Sequence, residues 1–355
     1  MEILDLLKVM VEKKASDLHL TTNIPPEFRI DGALQFVQGF DTPLNVEMTK
    51  KLAYSILTNR QIEEFEKAKE LDFSYGVTGM GRFRINLYIQ RNCIAMCLRL
   101  IPFNVPSIEE LGLPAIVKDF AMKHSGLFLV TGAVGSGKST TLAAMIDYIN
   151  NNKSCHIITI EDPIEYLHRH KKSTIDQREV GTDTLSFAEA LRRVFRQDPN
   201  IILVGEMRDL ETIHTALTLA ETGHLILATL HTMDAIHTIS RIIDVFPSSQ
   251  QQQIRVQISM VLLGVLSQQL IPRTSGKGRA LAYEVMNVTA SIRSLIRENT
   301  LPQIYTCIQT GKKFGMSTMN QMLADLCQKQ EIQYEEALRR ATNTDEFNAL
   351  LKDGK

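Results

Sequence analysis

The chain contains no tryptophan, and aromatic residues make up only 6% of it. That leaves little stacking surface for a groove that tracks single-stranded nucleic acid. Charge of one sign is missing too: 39 Lys and Arg face 40 Asp and Glu, for a formal net charge of −1. A dedicated nucleic-acid binder would be more basic, although a local patch can hide inside a balanced total. The cysteines (Cys93, Cys97, Cys155, Cys307 and Cys327) form neither a CxxC pair nor an even framework. They are expected to be reduced thiols of a cytoplasmic protein, with no structural zinc, which needs four soft ligands. Long apolar runs are also lacking. Ile258–Leu266 is too short to cross a bilayer and is interrupted by Ser259. The N-terminal segment MEILDLLKVMVEKK carries Glu2 and Asp5 inside its apolar pattern, as expected of an amphipathic helix and not of a signal peptide.

The sequence is rich where a phosphate binds. Gly132-Ala133-Val134-Gly135-Ser136-Gly137-Lys138-Ser139 matches G-x-x-x-x-G-K-[ST] at every fixed position. The apolar run Gly126–Val130 ahead of it predicts a buried strand. Thr140–Ile149 behind it has apolar residues at helical spacing, so the loop lies between strand and helix. Glycines let the chain curl until consecutive N–H groups point inward, and the helix adds its positive end. Lys138 would reach the outer phosphates and the Ser139 hydroxyl would ligate Mg²⁺, with Thr140 next in line at the start of the helix. ATP with Mg²⁺ is the expected ligand.

With 355 residues the chain is comfortable for two domains. Residues 1–99 alternate helix and strand signals: a first helix, DLHLTT, then PEFRIDGALQFV with a hairpin turn at Asp31–Gly32. A helical stretch follows over Val46–Lys69. Two alternating runs, Leu71–Val77 and Arg82–Arg99, are separated by Gly-Met-Gly. This reads as a small α+β domain with an antiparallel sheet. Residues 100–114 hold three prolines and little periodicity, the signature of a linker. Over 115–287 buried strands at Gly126–Thr131, His156–Ile160, Ile201–Val204 and Leu225–Thr229 alternate with helices, and Ala280–Met286 closes the series. The fold class is therefore α/β, with a parallel sheet covered on both faces. Residues 288–355 read as helical, with capping or turn signals at Asn299, Gly311, Gly315 and Asn343, and Gln250–Gln253 reads as the exposed start of a helix.

In parallel sheets ligands bind beyond the carboxyl ends of strands. Ile201–Val204 runs into Gly205-Glu206-Met207-Arg208-Asp209, placing Glu206 where a carboxylate can orient the water that attacks a γ-phosphate. A second strand, in IITIEDPIE, ends in Glu161, Asp162 and Glu165. Carboxylates at two strand ends can converge on Mg²⁺, but spacing does not say which of these three faces it, and Asp162 also suits capping the turn before Pro163. His224 and His231 bracket the run Leu225–Leu230; His231, at the carboxyl end, is the better phosphate sensor. Arg82, Arg84, Arg91 and Arg99 lie on or beside strands of the first domain. They read either as a solvated sheet face or as arginine fingers for a neighbouring subunit's γ-phosphate, and the sequence does not choose.

Together these segments resemble the type IV pilus retraction ATPases, the PilT family of secretion motors. The resemblance covers ASDLHL (15–20), IITIEDPIEYLH (157–168) and DQREVGTDTLSF (176–187). It extends through DPNIILVGEMRDLET (198–212), AETGHLILATLHT (220–232), RIIDVFPSSQQQQIRVQ (241–257) and FGMSTMNQ (314–321). In that family the Walker A, Asp box, Walker B and His box elements map onto Lys138/Ser139, Glu161/Asp162, Glu206 and His224/His231. The resemblance implies a PAS-like N-terminal domain, a RecA-like motor domain with C-terminal helices, and a homohexameric ring. Nucleotide would lie between the two domains, with N-terminal arginines such as Arg82 and Arg84 closing on it. It also implies an inner-membrane platform protein as partner, with the pilus machinery beyond it, and a cytoplasmic location at the inner-membrane pilus base. No nucleic acid is expected.

The chain departs from the family in two places. The family's loop usually reads Gly-Pro-Thr-Gly, whereas this one has Ala133 and Val134. Backbone cradling survives that change, but the loop loses proline's fixed φ and a threonine hydroxyl, so weaker binding or altered turnover is expected before inactivity. The family's AIRNLIRE motif stands here as Ser291-Ile-Arg-Ser-Leu-Ile-Arg-Glu298. The rival readings are an accessory retraction ATPase, a pilus-assembly or type II secretion ATPase, and, from another class, a RecA-like DNA translocase. The assembly type usually carries paired CxxC motifs and a longer N-terminal extension; this sequence has no CxxC motif, and no such extension is expected.

Overall fold

The computed structural model describes residues 1–353, except Asp31, Gln38, Pro102 and Phe103. The chain forms two compact units: Met1–Asn104 together with Glu165–Leu167, and Val105–Ile164 together with His168 onward.

The first unit opens with α1 (Ile3–Glu12), whose Leu6, Leu7 and Met10 are fully buried. Strands β1 (Asp17–Leu20), β2 (Glu27–Ile30) and β3 (Ala33–Phe36) follow, then α2 (Val46–Tyr54), α3 (Asn59–Ala68), β4 (Glu70–Val77), β5 (Gly81–Gln90) and β6 (Cys93–Ile101). All strand pairs are antiparallel, in the order β3-β2-β1-β6-β5-β4. Period-two alternation turns Phe83, Ile85 and Leu87 into a core with Leu18, Phe28 and Leu98, and leaves Arg82 and Arg84 on the other face of β5.

Two sequence expectations are corrected here. The single helix over 46–69 is two, because Thr58 caps a new start: its backbone N–H donates to Gln61 Oε1 at 3.0 Å and its hydroxyl accepts from Gln61 N at 3.4 Å. The run Arg82–Arg99 is likewise cut into β5 and β6. Arg91 and Asn92 both hold left-handed φ (+47° and +61°), the geometry of a two-residue hairpin turn matching strand twist. The expected turn at Asp31–Gly32 falls partly outside the described residues, as do Pro102 and Phe103 of the expected linker; Gly32 itself has φ +84°.

The second unit contains α4 (Ile116–Ala121), β7 (Gly126–Thr131), α5 (Lys138–Asn152), β8 (His156–Glu161), β9 (Thr174–Glu179), α6 (Phe187–Val194), β10 (Ile201–Val204) and α7 (Leu210–Glu221). After these come β11 (Leu225–Leu230), α8 (Ala235–Asp244), α9 (Ser248–Val261), β12 (Leu262–Pro272) and β13 (Arg279–Asn287). The helices α10 (Ala290–Arg297), α11 (Ile304–Gln309), α12 (Met319–Gln328), α13 (Tyr334–Leu338) and α14 (Thr344–Asp353) complete it. The sheet order is β13-β12-β7-β11-β10-β8-β9, parallel throughout except for the antiparallel β12–β13 pair. Each central strand feeds two cores by alternation. Leu129, Ile158, Ile202 and Ile226 face one cluster, while Phe128, Ile157, Leu203 and Leu227 face another with Phe120 and Met145.

The strands expected over 115–287 all form. Sequence pattern did not provide β9 or β12. β9 (TIDQRE) is a polar edge strand, and β12 continues from α9 through an apolar run whose helix or strand character periodicity cannot decide.

Asn150 of α5 sets how the chain enters β9. It is fully buried; its Oδ1 accepts from Lys171 N (3.1 Å) and Ser173 N (3.2 Å), and its Nδ2 donates to Arg169 O (2.7 Å). Replacing Asn150 by Leu leaves the buried Ser173 N–H unpaired at about 1–3 kcal/mol and removes two partly buried bonds besides. Urea unfolding of the variant should show a loss of at least about 2 kcal/mol; an unchanged midpoint contradicts this role.

Candidate functional site

The site is assembled by register. Leu129, Ala228, Val204 and Ile160 stand side by side across β7, β11, β10 and β8, so the segments beyond these strands emerge level with one another. β7 runs into the loop Gly132–Ser139. Gly132 (φ +139°), Gly135 (+77°) and Gly137 (+92°) turn the chain, and Gly137 is the N-cap of α5. Ala133, Val134 and Ser139 are exposed, and Thr140 is half-buried. The Val134 side chain is 87% accessible and points away from the curl that holds Ser136 and Lys138, both buried.

Lys138 is the first residue of α5, and its ammonium is tucked back under the loop. It donates to Gly132 O at 2.9 Å and Ala133 O at 3.0 Å. Two features fit a polyphosphate. The Ser136 hydroxyl is buried with no hydrogen-bond partner among the described residues, and glycine N–H groups line the curl that ends on a helix N-terminus.

At the carboxyl end of β10, two strands (about 10 Å) from the loop-bearing strand, Glu206 is fixed by its neighbours. Gly205 N donates to Ile160 O (2.8 Å), Met207 N donates to Thr229 O (3.1 Å), and the Thr229 hydroxyl donates to Gly205 O. A Cβ at Gly205 would stand 3.2 Å from Ile160 O, so only glycine passes this point without displacement. Arg208 Nε lies 2.6 Å and His231 Nε2 3.0 Å from the Glu206 carboxylate, and both contacts fall on Oε1. Burial alone would raise the Glu206 pKa, but the Arg208 hydrogen bond and the nearby His231 and Arg208 charges pull it below its ordinary value. The carboxylate is therefore ionised and accepts only, so the His231 ring carries a proton on Nε2.

Glu161 ends β8 half-buried, and its Oε1 accepts from the Thr159 hydroxyl (2.6 Å) and from Gln177 Nε2 (3.2 Å) on β9. Asp162 is exposed, precedes a cis peptide bond to Pro163, and lies within Coulombic range of Arg208. Glu165 belongs to the first unit.

The structure thus brings Glu206 and His231 together and places Glu161 at the end of a neighbouring strand. It does not bring His224 there. His224 precedes β11, at the amino end and a strand length (about 20 Å) away. Its Nδ1 meets Leu219 O at 3.0 Å, and its ring meets Phe195 edge-on. The arginines belong to the first unit. Arg84 is exposed on β5, opposite Arg99 in the ladder, and Arg82 is half-buried on the same face. Arg99 is held by Asp17 at 2.8 Å. Burial would raise the Asp17 carboxyl, but the Ser16 hydroxyl and the Arg99 guanidinium pull it below its usual value.

Three contributors carried no earlier assignment: Arg208, Thr159 and Gln177. Arg208 stands two residues from Glu206, as Thr159 does from Glu161, and period-two reading of extended chain would have placed each beside its carboxylate. Gln177 comes from β9, which periodicity did not identify.

The sequence matches the family described as "Type II/IV secretion system protein" over residues 2–350. It is 47% identical over 347 residues to the type IV pilus retraction ATPase PilT of Pseudomonas aeruginosa, covering 98% of this chain and all of that one. It is 41% identical to the type IV pilus ATPase PilU of the same organism, covering all of this chain and 92% of the relative. A crystal structure of the pilus retraction motor PilT with bound ADP superposes with a TM-score of 0.91 at 49% identity, covering 98% of this chain and 99% of that one.

Gly132 tests the cradle. A Cβ there would sit 2.4 Å from Gln268 O of β12 and 2.6 Å from Ser136 Oγ, at a φ that L-residues rarely adopt. Strain of about 1–3 kcal/mol implies that Gly132→Ala binds a fluorescent ADP analogue roughly 10- to 100-fold more weakly than the parent chain. Equal affinity would show that the loop does not hold the phosphates.

Proposed function

The chain belongs to the type II/IV secretion system protein family, and from that premise we propose that it is an ATP-hydrolysing motor that powers type IV pilus retraction. Its fold is the α/β fold of the PilT motor. The observation that carries the chemistry is Glu206, ionised and clamped by Arg208 and His231, on the same carboxyl edge as the Gly132–Ser139 loop.

The residues divide the work. Loop N–H groups and the α5 N-terminus hold the phosphates, and Lys138 exchanges its loop carbonyls for phosphate oxygens. Because Arg208 and His231 both occupy Oε1 of Glu206, its Oε2 is the oxygen assigned to orient the attacking water. His231 is placed to register whether that carboxylate is engaged. Among the described residues no three His, Cys, Asp or Glu side chains converge as a metal cage. Mg²⁺ would therefore be held through phosphate oxygens and water, with Ser139, Glu161 and Asp162 supplying protein oxygens and the ion neutralising phosphate charge. We assign Arg82 and Arg84 to the γ-phosphate of the same or an adjacent copy.

Self-association into a homohexameric ring, docking on an inner-membrane platform protein and action at the pilus base complete the reading. No helix among the described residues is long and apolar enough to cross a membrane. The retraction type is favoured over the accessory type by FGMSTMNQ at 314–321 and over the assembly type by the lack of paired CxxC motifs.

Glu206→Gln is the direct test. Phosphate release should fall at least about 100-fold while nucleotide affinity stays within a few-fold, since the loop is untouched. Unchanged release would leave a nucleotide-binding scaffold and not a motor.

A further inference from the structure

Glu284 lies on β13, outside every segment assigned above to the nucleotide. It is 3% accessible, yet it is an ionisable group in an otherwise apolar stretch of strand. Its Oε1 accepts from Ala235 N at 2.9 Å. Ala235 is the first residue of α8, so the side chain pins that helix start. Next to it on the strand, Val285 forms an antiparallel bridge with Ser317, one residue before the N-cap of α12. Burial pushes the carboxyl up to about 7, against the pull of the Ala235 N–H.

From Ala235 a short series of contacts leads back to the reaction centre. Asp234 caps α8 through His237 N (2.8 Å), and the Thr238 hydroxyl, fully buried, donates to Asp234 O (2.6 Å). Thr238 Oγ1 also lies 2.6 Å from Thr232 Oγ1. Thr232 adjoins His231, whose Nε2 meets Glu206. The segment 231–234 therefore has its far end fixed to the first turn of α8, and that turn is fixed to Glu284.

We infer that Glu284 is a positioning residue: by holding the start of α8 it sets the His231 segment against Glu206. The inference rests on the proposed role of His231. A carboxylate on another strand that accepts from the first N–H of a helix fixes where that helix begins.

A double-mutant cycle on the full chain tests it. Glu284→Gln keeps the shape but weakens the acceptor that Ala235 N–H meets, and should lower kcat for ATP about 5- to 10-fold with KM within twofold. In a His231→Ala background the same change should alter kcat less than twofold, because its effect runs through His231. Ala235→Pro gives a second route. Proline suits the first position of a helix, removes the donor and sets its Cδ against the Glu284 carboxylate, so it should show the same split. A loss of equal factor in both backgrounds, or a rise in KM alone, overturns the inference while leaving the role of His231 intact. A His231→Ala chain with unchanged kcat would instead remove the reading of His231, and this inference with it.

Discussion

The site depends on parallel strands ending level. Leu129, Ala228, Val204 and Ile160 form one row across the sheet, and one or two residues further on stand Thr131, Thr229, Glu206 and Glu161. That row is enforced from both sides, because alternate residues of each strand feed separate cores. Slipping one strand by a single residue would exchange its whole apolar set between the two cores and turn its terminal side chain away. Groups more than seventy residues apart are thus kept in one strip by ordinary packing. Backbone bonds then extend the control past the strand ends, where Gly205 N and Met207 N still pair with Ile160 and Thr229 carbonyls.

On that strip the charges are arranged to be exchanged. Lys138 donates to carbonyls of its own loop, partners weaker than phosphate oxygens, so the lysine is kept near its working position. Glu206 is held by two nitrogens on one oxygen. With its pKa below the ordinary value it stays ionised, which suits orienting a water more than removing its proton. Glu284 extends the same economy outward, since a single buried carboxylate gives the segment after β11 a fixed far end.

Much of this was legible in the sequence because it is written in short, local patterns. The loop motif with its flanking strand and helix, the apolar runs ending in Glu206 and Glu161, and the position of His231 after Leu225–Leu230 all belong to that kind. Patterns that need a neighbour were not legible. Nothing near Thr174–Glu179 marks an edge strand until β8 is beside it, and β12 differs from a buried helix only once β7 and β13 bracket it. Arg208 beside Glu206 and Thr159 beside Glu161 were within reach of period-two reading, whereas Gln177 and Glu284 were not. The partner of Glu284, Ala235, is linked to it only by the fold. His224 shows the reverse case. A histidine flanking the right strand attracts attention, but parallel strands put it at the amino end, where it meets Leu219 and Phe195.

On this reading the carboxyl edge of the sheet holds Mg·ATP, and Lys138 changes partners on binding. A crystal structure of the full chain with Mg²⁺ and a non-hydrolysable ATP analogue tests it most directly. The triphosphate is expected on Gly132–Ser139, with Lys138 Nζ moved from the Gly132 and Ala133 carbonyls to phosphate oxygens and a water on Glu206. An analogue bound elsewhere, or Lys138 still on both carbonyls with the loop filled, would contradict it.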